Sequence, residues 1–408
     1  MIRTICRSIA VLALVVVAGA CNNDALNRPF LDTPVDPLFA RYVSMGNSIT
    51  AGFQSGGIND STQQQSYAVL LAHAMRSPFF VPSLTKPGCP PPYTNVFTRA
   101  RLSAGTDTTC ALRAVPAVPP PYISNTAVPG AEVMDILSNL DTASNANQLT
   151  QLILGGLTQA QMMARAHPTF VSVWIGNNDV LGAAISAGDS TKITSVANFQ
   201  ARYGAMLDTV AAAGPRGAIL VGVANVTAIP YFSAGMTYWG IKNKQALPDT
   251  FPTAFTVSNN CAPAFAAPGV GRGDSVLVPF PYGAVLLSMA QAGTPTNLDC
   301  GDSVAAIVVP HELLKLVGAV QAYNTFISAQ ATTHGWAYVD PNPLLDSLRV
   351  VGALRSFPLM GQPCSANPFG TAFSCDGIHP SASAHRLIAQ TLRAAINAAY
   401  TTEIPPVP

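Results

Sequence analysis

The chain has 408 residues, of which 49% are hydrophobic and 10% charged, with a formal net charge of +1. That length buries a sizeable core and holds one large domain or two ordinary ones. The near-zero charge, with no basic block and no acidic tail, excludes an electrostatic partner such as nucleic acid, and the apolar content excludes disorder.

Arg3 and Arg7 precede a continuous apolar run, Ile9 to Val17, which ends in the small residues Ala18, Gly19 and Ala20. This is the layout of a secretory signal, and it is too short for a comfortable membrane span. Small residues directly ahead of Cys21 resemble a bacterial lipobox, with Ala18 in place of the usual leucine. The resemblance implies a lipoprotein signal peptide over residues 1–20 and a lipidated Cys21 as the first mature residue. It also implies export to the outer membrane, on its periplasmic or surface face, with the membrane a partner through the lipid anchor. Ordinary cleavage that leaves Cys21 as a thiol is the competing reading.

Export permits disulfides. Cys6 leaves with the signal, and Cys89, Cys110, Cys261, Cys300, Cys364 and Cys375 remain. The pairing is open from sequence alone. Joining neighbours (Cys89 with Cys110, Cys261 with Cys300, Cys364 with Cys375) is the simplest arrangement, and each bridge would add about 2–4 kcal/mol. No Cys-x-x-Cys or Cys/His cluster is present, so no metal site or cofactor is expected.

Residues 21–38 are polar, carry Pro29, Pro34 and Pro37, and read as a tether to a domain over 39–402. A first strand is predicted at about Arg41–Met45, ending in a small polar turn that carries Ser48. A helix follows over Gln64–Met75. From Pro78 to Tyr122 the chain is rich in Pro, Gly, Thr and Cys, as in a long stapled loop. Helices are predicted from Ala131 to about Leu140 and over Asn147–Ala166. The run Thr169–Ile175 suits a strand buried on both faces, as does Ala218–Ala224, with a helix at Val196–Ala213 between them. Residues 230–308 break the rhythm and read as a loop-rich, disulfide-stapled insertion. The helix Pro310–Thr332, a strand at Trp336–Asp340 and a last helix over Ser381–Tyr400 complete the alternation. This is the pattern of an α/β domain with a parallel sheet.

The chemistry sits at the strand ends. A nucleophilic serine needs an imidazole to take its proton, a carboxylate to fix the tautomer, and donors for an oxyanion. Asp376-Gly377-Ile378-His379-Pro380 puts a carboxylate and an imidazole on one short turn before the last helix. Four short blocks in order, Gly46-Asn47-Ser48-Ile49, Gly130, Gly176-Asn177-Asn178-Asp179 and Asp376-x-x-His379, resemble the SGNH hydrolase superfamily of GDSL-type esterases and lipases. The resemblance implies a three-layer α/β/α fold with a flavodoxin-like sheet. It implies Ser48 as nucleophile, His379 as base, Asp376 as its orienter, and Ser48, Gly130 and Asn178 as oxyanion donors.

The function implied is an exported serine carboxylic ester hydrolase working through an acyl-enzyme on Ser48. Its substrate would be a small-molecule, lipid or acylated-glycan ester. A non-catalytic ligand- or glycan-binding lipoprotein on the same fold, or an acyltransferase with the same triad, are the alternatives. Acyl chain length, the alcohol part and oligomeric state are not legible. Asn47 departs from the family's aspartate, which puts the positioning of the serine turn in question. Gly273-Asp274-Ser275 and Gly301-Asp302-Ser303 match the family spelling better by letters, but neither follows a buried strand near the domain start. His385, inside the last helix, is read as a surface residue, and Asp179 as a tie for its own turn.

Overall fold

The computed structural model describes residues 33–408 apart from 118, 139–146 and 246–248. The expected signal peptide and Cys21 lie outside the described residues. Strands β1 (Tyr42–Gly46), β2 (Phe170–Trp174), β3 (Gly217–Val221) and β4 (Ala337–Val339) form a parallel sheet in that order. Every residue of β1, β2 and β3 is buried, because helices cover both faces, so the strands read as continuous runs rather than alternating ones.

A fifth extended stretch pairs with the open side of β1. Ser44 N donates to Ser124 O at 2.8 Å, Thr126 N to Ser44 O at 2.9 Å, and Val128 N to Gly46 O at 3.2 Å. With it, the spatial order in chain numbering is 2-1-3-4-5, the flavodoxin-like arrangement. In such sheets ligands bind beyond the carboxyl ends of the strands, where the order reverses. Here that point lies between β1 and β2.

Alternation along each strand sorts side chains into two cores. Tyr42, Phe170, Trp174 and Ile219 face α2 (Tyr67–Met75) and α6 (Ala382–Tyr400). Val43, Met45, Val171, Val173 and Leu220 face α4 (Val196–Ala212) and α5 (Pro310–His334), where Phe199 and Tyr323 stack at 3.9 Å. Two shorter helices lead out of strands at the site: α1 (Ser48–Ala51) and α3 (Asn178–Ile185).

Several predicted elements are cut differently. The helix expected over 64–75 is two, Asp60–Gln64 and α2, because Ser66 is extended and its hydroxyl caps α2 by accepting from Val69 N. The helix expected over 147–166 breaks at Gly155, which turns left-handed, and restarts behind the Thr158 cap. The helix expected from Ala131 is, in its described part, a single tight turn at Val133–Ile136.

The insertion at 230–308 is loop-rich as expected, and it also packs short strands and helices of its own. Phe232–Ala234 pairs with Leu277–Pro279, and Phe255–Val257 with Thr296–Leu298. Helices Gly235–Lys242 and Phe280–Gln291 close its own core around Tyr238, Phe255, Val278 and Leu298. The cysteines join as neighbours: Cys89–Cys110, Cys261–Cys300 and Cys364–Cys375.

Packed structure extends past both ends of the expected 39–402 domain. Val35 N donates to Met75 O at 3.1 Å, and Val35 and Leu38 pack against the core, so the last residues of the expected 21–38 tether belong to the fold. After Tyr400, Ile404 and Val407 bury against α6, whose Arg393 Nε donates to Ile404 O at 2.6 Å. Among the described residues no helix is long and apolar enough to cross a membrane.

Candidate active site

The site begins where β1 ends. A Cβ on Gly46 would sit 2.4 Å from Trp174 O in the next strand, so only glycine lets β1 approach β2 this closely. The buried Gln159 grips the same peptide from the side: its Oε1 accepts from Gly46 N and its Nε2 donates to Gly46 O, both at 2.9 Å. Asn47 then caps α1, its Oδ1 accepting from Ile49 N at 3.1 Å. Asparagine and aspartate cap comparably well, so the uncharged side chain does what this turn requires. Ser48 follows as the first residue of α1, its backbone N–H ahead of any helical acceptor.

His379 and Asp376 come to Ser48 on the turn before α6. His379 Nε2 lies 2.9 Å from Ser48 Oγ, and Nδ1 lies 2.8 Å from Asp376 Oδ2. Burial opposes a charge on Asp376, but the adjacent imidazole and the surrounding donors outweigh it and hold the carboxyl at about 2. Its Oδ1 accepts from Ile378 N and His379 N, both at 2.9 Å, and from Ser374 Oγ at 3.1 Å. Its Oδ2 also accepts from Gly56 N at 2.6 Å. An ionised Asp376 can only accept, so His379 donates to it from Nδ1, and in the neutral ring Nε2 is the acceptor that faces Ser48.

The stretch after α1 is sewn to the Asp376 turn. Ser55 N donates to Ser374 Oγ at 2.8 Å, and Cys375 N donates to Ser55 Oγ at 3.1 Å. Phe53 packs its ring 4.9 Å from the imidazole of His379. The insertion braces the turn from the other side, with Tyr231 N donating to Gly377 O at 2.9 Å. Sequence reading missed Phe53, Ser55, Gly56, Gln159 and Ser374: the first four act across a long chain separation, Ser374 acts both on Asp376 two residues on and on the distant Ser55, and none belongs to a recognisable block.

Asn178 is the first residue of α3, directly after β2. Its Nδ2 donates one hydrogen to Ala131 O at 2.8 Å and keeps a second. Gly130 precedes Ala131, is exposed, and has φ +87°, a conformation that suits glycine. A cavity of about 80 Å³ opens beside Ser48, His379 and Asn178, walled by apolar side chains that include Leu181, Val226, Ile229, Leu345 and Leu348.

The remaining sequence candidates fall elsewhere. His385 is not a surface residue: it is fully buried against α2, its Nδ1 accepting from Tyr67 N at 3.2 Å, and burial pushes it down to about 3. Asp179 reaches beyond its own turn, its Oδ2 accepting from Val133 N at 3.0 Å. The two Gly-Asp-Ser decoys lie in the insertion, where Asp302 pairs with Arg272 and Ser275 Oγ donates to Arg272 O at 3.2 Å. No group of three or more His, Cys, Asp or Glu among the described residues is placed to hold a metal ion.

Comparison with known proteins adds a family. No curated protein matches the sequence. Among solved structures, the chain is similar to Axe2, an acetylxylan esterase from Geobacillus stearothermophilus, at 12% identity and a TM-score of 0.39, covering 88% of this chain and 94% of that one. It is also similar to LAE5, an α/β hydrolase from the metagenome of Lake Arreo, Spain, at 14% identity and a TM-score of 0.38, covering 90% and 99%. The family model described as GDSL-like Lipase/Acylhydrolase matches residues 42–392. That match runs from the first residue of β1 into α6 and takes in Ser48, Gly130, Asn178, Asp376 and His379 alike: the chain belongs to the GDSL-like lipase/acylhydrolase family of ester hydrolases.

Proposed function

We propose that this chain hydrolyses carboxylic esters through an acyl-enzyme on Ser48. The observation that carries the reading is the continuous relay from Asp376 Oδ2 through both nitrogens of His379 to Ser48 Oγ, at 2.8 and 2.9 Å. Ser48 Oγ attacks the ester carbonyl while Nε2 of His379 takes its proton. Negative charge gathers on the former carbonyl oxygen. Ser48 N–H, Gly130 N–H and the second hydrogen of Asn178 Nδ2 are the donors for it, each of a kind worth about 10²–10³ in rate. The intermediate collapses as His379 returns its proton to the departing alcohol. Water, deprotonated by the same nitrogen, then releases the acid. The apolar cavity beside Ser48 takes the acyl group, which favours an acyl chain longer than acetyl.

The binding-only reading drew on Asn47 and on the long insertion, and the cap that Asn47 makes removes the first of these motives. On this proposal the mature enzyme is exported and held at the outer membrane by a lipid on Cys21, a reading supported by the charged, apolar and small segments ahead of that cysteine. Loss of fatty-acid labelling in Cys21→Ser tests the anchor. The chemistry is tested with p-nitrophenyl esters from acetyl to decanoyl and with a fluorophosphonate probe. The wild type turns over and is labelled; Ser48→Ala loses both, with turnover falling by about 10⁴–10⁶. Labelling that survives in Ser48→Ala, or a folded wild type inert to every ester, refutes the proposal.

A further inference from the structure

Asp179 follows Asn178 at the start of α3 and takes no part in the relay. It is wholly buried, at 0% exposure, and its partners are few: Oδ2 accepts from Val133 N, and the Thr194 hydroxyl is the other hydrogen-bonding group against the carboxyl. A buried carboxyl with so few partners is costly where a leucine would pack freely. Burial, reinforced by the neighbouring Glu132, pushes it up to about 7. Glu132 and Asp135 of the 132–136 turn and Tyr323 of α5 are the titratable groups that face it.

The backbone it holds explains the expense. One residue earlier, Asn178 Nδ2 donates to Ala131 O. Two consecutive side chains at the start of α3 therefore grip residues 131 and 133, one as donor and one as acceptor. Gly130 is the residue immediately ahead of that grip. On its other side Pro129 O accepts from Asn147 Nδ2 at 3.1 Å. Gly130 has no side chain of its own to fix where its N–H points, so its neighbours must do so.

We infer that Asp179 is a positioning residue for the oxyanion site: by accepting from Val133 N it fixes the 131–133 backbone and with it the direction of the Gly130 N–H. The inference rests on the ester-hydrolase reading, in which Gly130 supplies a donor. A shift of about 1 Å in such a donor costs about 10²-fold in rate.

The test compares Asp179→Ala, Asp179→Asn and Val133→Pro in the full chain, with circular dichroism as the check on folding. Val133 opens its turn and Glu132 before it is extended (φ −96°, ψ 174°), so proline fits there while deleting the donated N–H. Asp179→Ala lowers kcat by about 10²-fold, with KM within about twofold of the wild type. It weakens inhibition by an alkylboronic acid, whose tetrahedral adduct needs the same donors, by a similar factor. Asp179→Asn keeps an acceptor oxygen and stays within about threefold of the wild type. The Asp179→Ala/Val133→Pro double variant is no slower than the slower single one, because both break one contact. Wild-type kcat and boronate affinity in folded Asp179→Ala overturn the inference, as does an Asp179→Asn loss equal to that of alanine. If alanine does not fold, wild-type kcat in Val133→Pro overturns it equally. Turnover that persists in Ser48→Ala would instead sink the ester-hydrolase reading itself, so the two failures are distinguishable.

Discussion

Asp376→Asn is the sharpest single perturbation of the relay. The carboxylate accepts at both oxygens: Oδ2 from Gly56 N and His379 Nδ1, Oδ1 from Ile378 N, His379 N and Ser374 Oγ. An asparagine has one oxygen and one NH2, so whichever way it turns, a donor faces donors. If the NH2 meets His379, the ring must accept at Nδ1 and carry its proton on Nε2, the tautomer that cannot deprotonate Ser48. The expected loss is about 10⁴ in kcat with KM little changed. Stability falls as well. The carboxyl is held at about 2 against 3.8 unfolded, and that difference corresponds to ~2 kcal/mol. Because the folded value is the lower one, this contribution is present above pH 4 and is lost as pH falls toward 2. The wild type should therefore melt above Asp376→Asn at pH 7, with the gap closing on acidification. Steady-state kinetics at pH 7–9 and melting curves from pH 2 to pH 7 read both effects. An Asp376→Asn enzyme that keeps a tenth or more of wild-type kcat would refute the tautomer argument.

Three further outcomes are expected. Asp179 has the opposite sign to Asp376: its folded value of about 7 lies above 3.8, so the fold loses stability as pH rises from about 4 to about 7, by up to ~4 kcal/mol. Asp179→Asn should flatten that slope and raise the melting temperature at pH 8; an unchanged slope would show that the carboxyl does not titrate there. Leu348→Trp projects bulk from a half-buried position into the apolar cavity and should cut kcat/KM for octanoyl esters about tenfold or more while sparing acetyl esters. Equal loss on all chain lengths would remove the cavity as the acyl site. Gly46→Ala drives a Cβ against Trp174 O and should cost about 1–3 kcal/mol in denaturant melts together with most of the ester turnover.

The relay was legible because its members carry local signatures. Asp376 and His379 share one turn, Ser48 follows a buried strand, and Asn178 follows another. The sheet was legible for the same reason, since β2 and β3 are β-branched, aromatic and aliphatic runs, broken only by Ser172, and too short to be helices. What escaped was set by contacts distant in sequence. Gly56 N reaches Asp376 across 320 positions, and no local pattern marks it. The insertion looked like loops because its three-residue strands depend on partners tens of residues away and on the Cys261–Cys300 bridge. His385 was misplaced because exposure around a helix is decided by its neighbour, here α2, and not by the residue's polarity. The break at Gly155-Gly156 is different: its signal was present and was outweighed by the apolar spacing on either side.

The relay also joins the two ends of the chain. Ser48 and His379 stand 331 positions apart, and both the sheet and the subdomain lie between them. A ribosome has to release almost the whole polypeptide before His379 exists to face the serine, and α6 must dock before its imidazole is held. Chains that end or are clipped before His379 thus carry Ser48 without that partner. On the proposed mechanism, ester cleavage therefore waits until the last helix is in place.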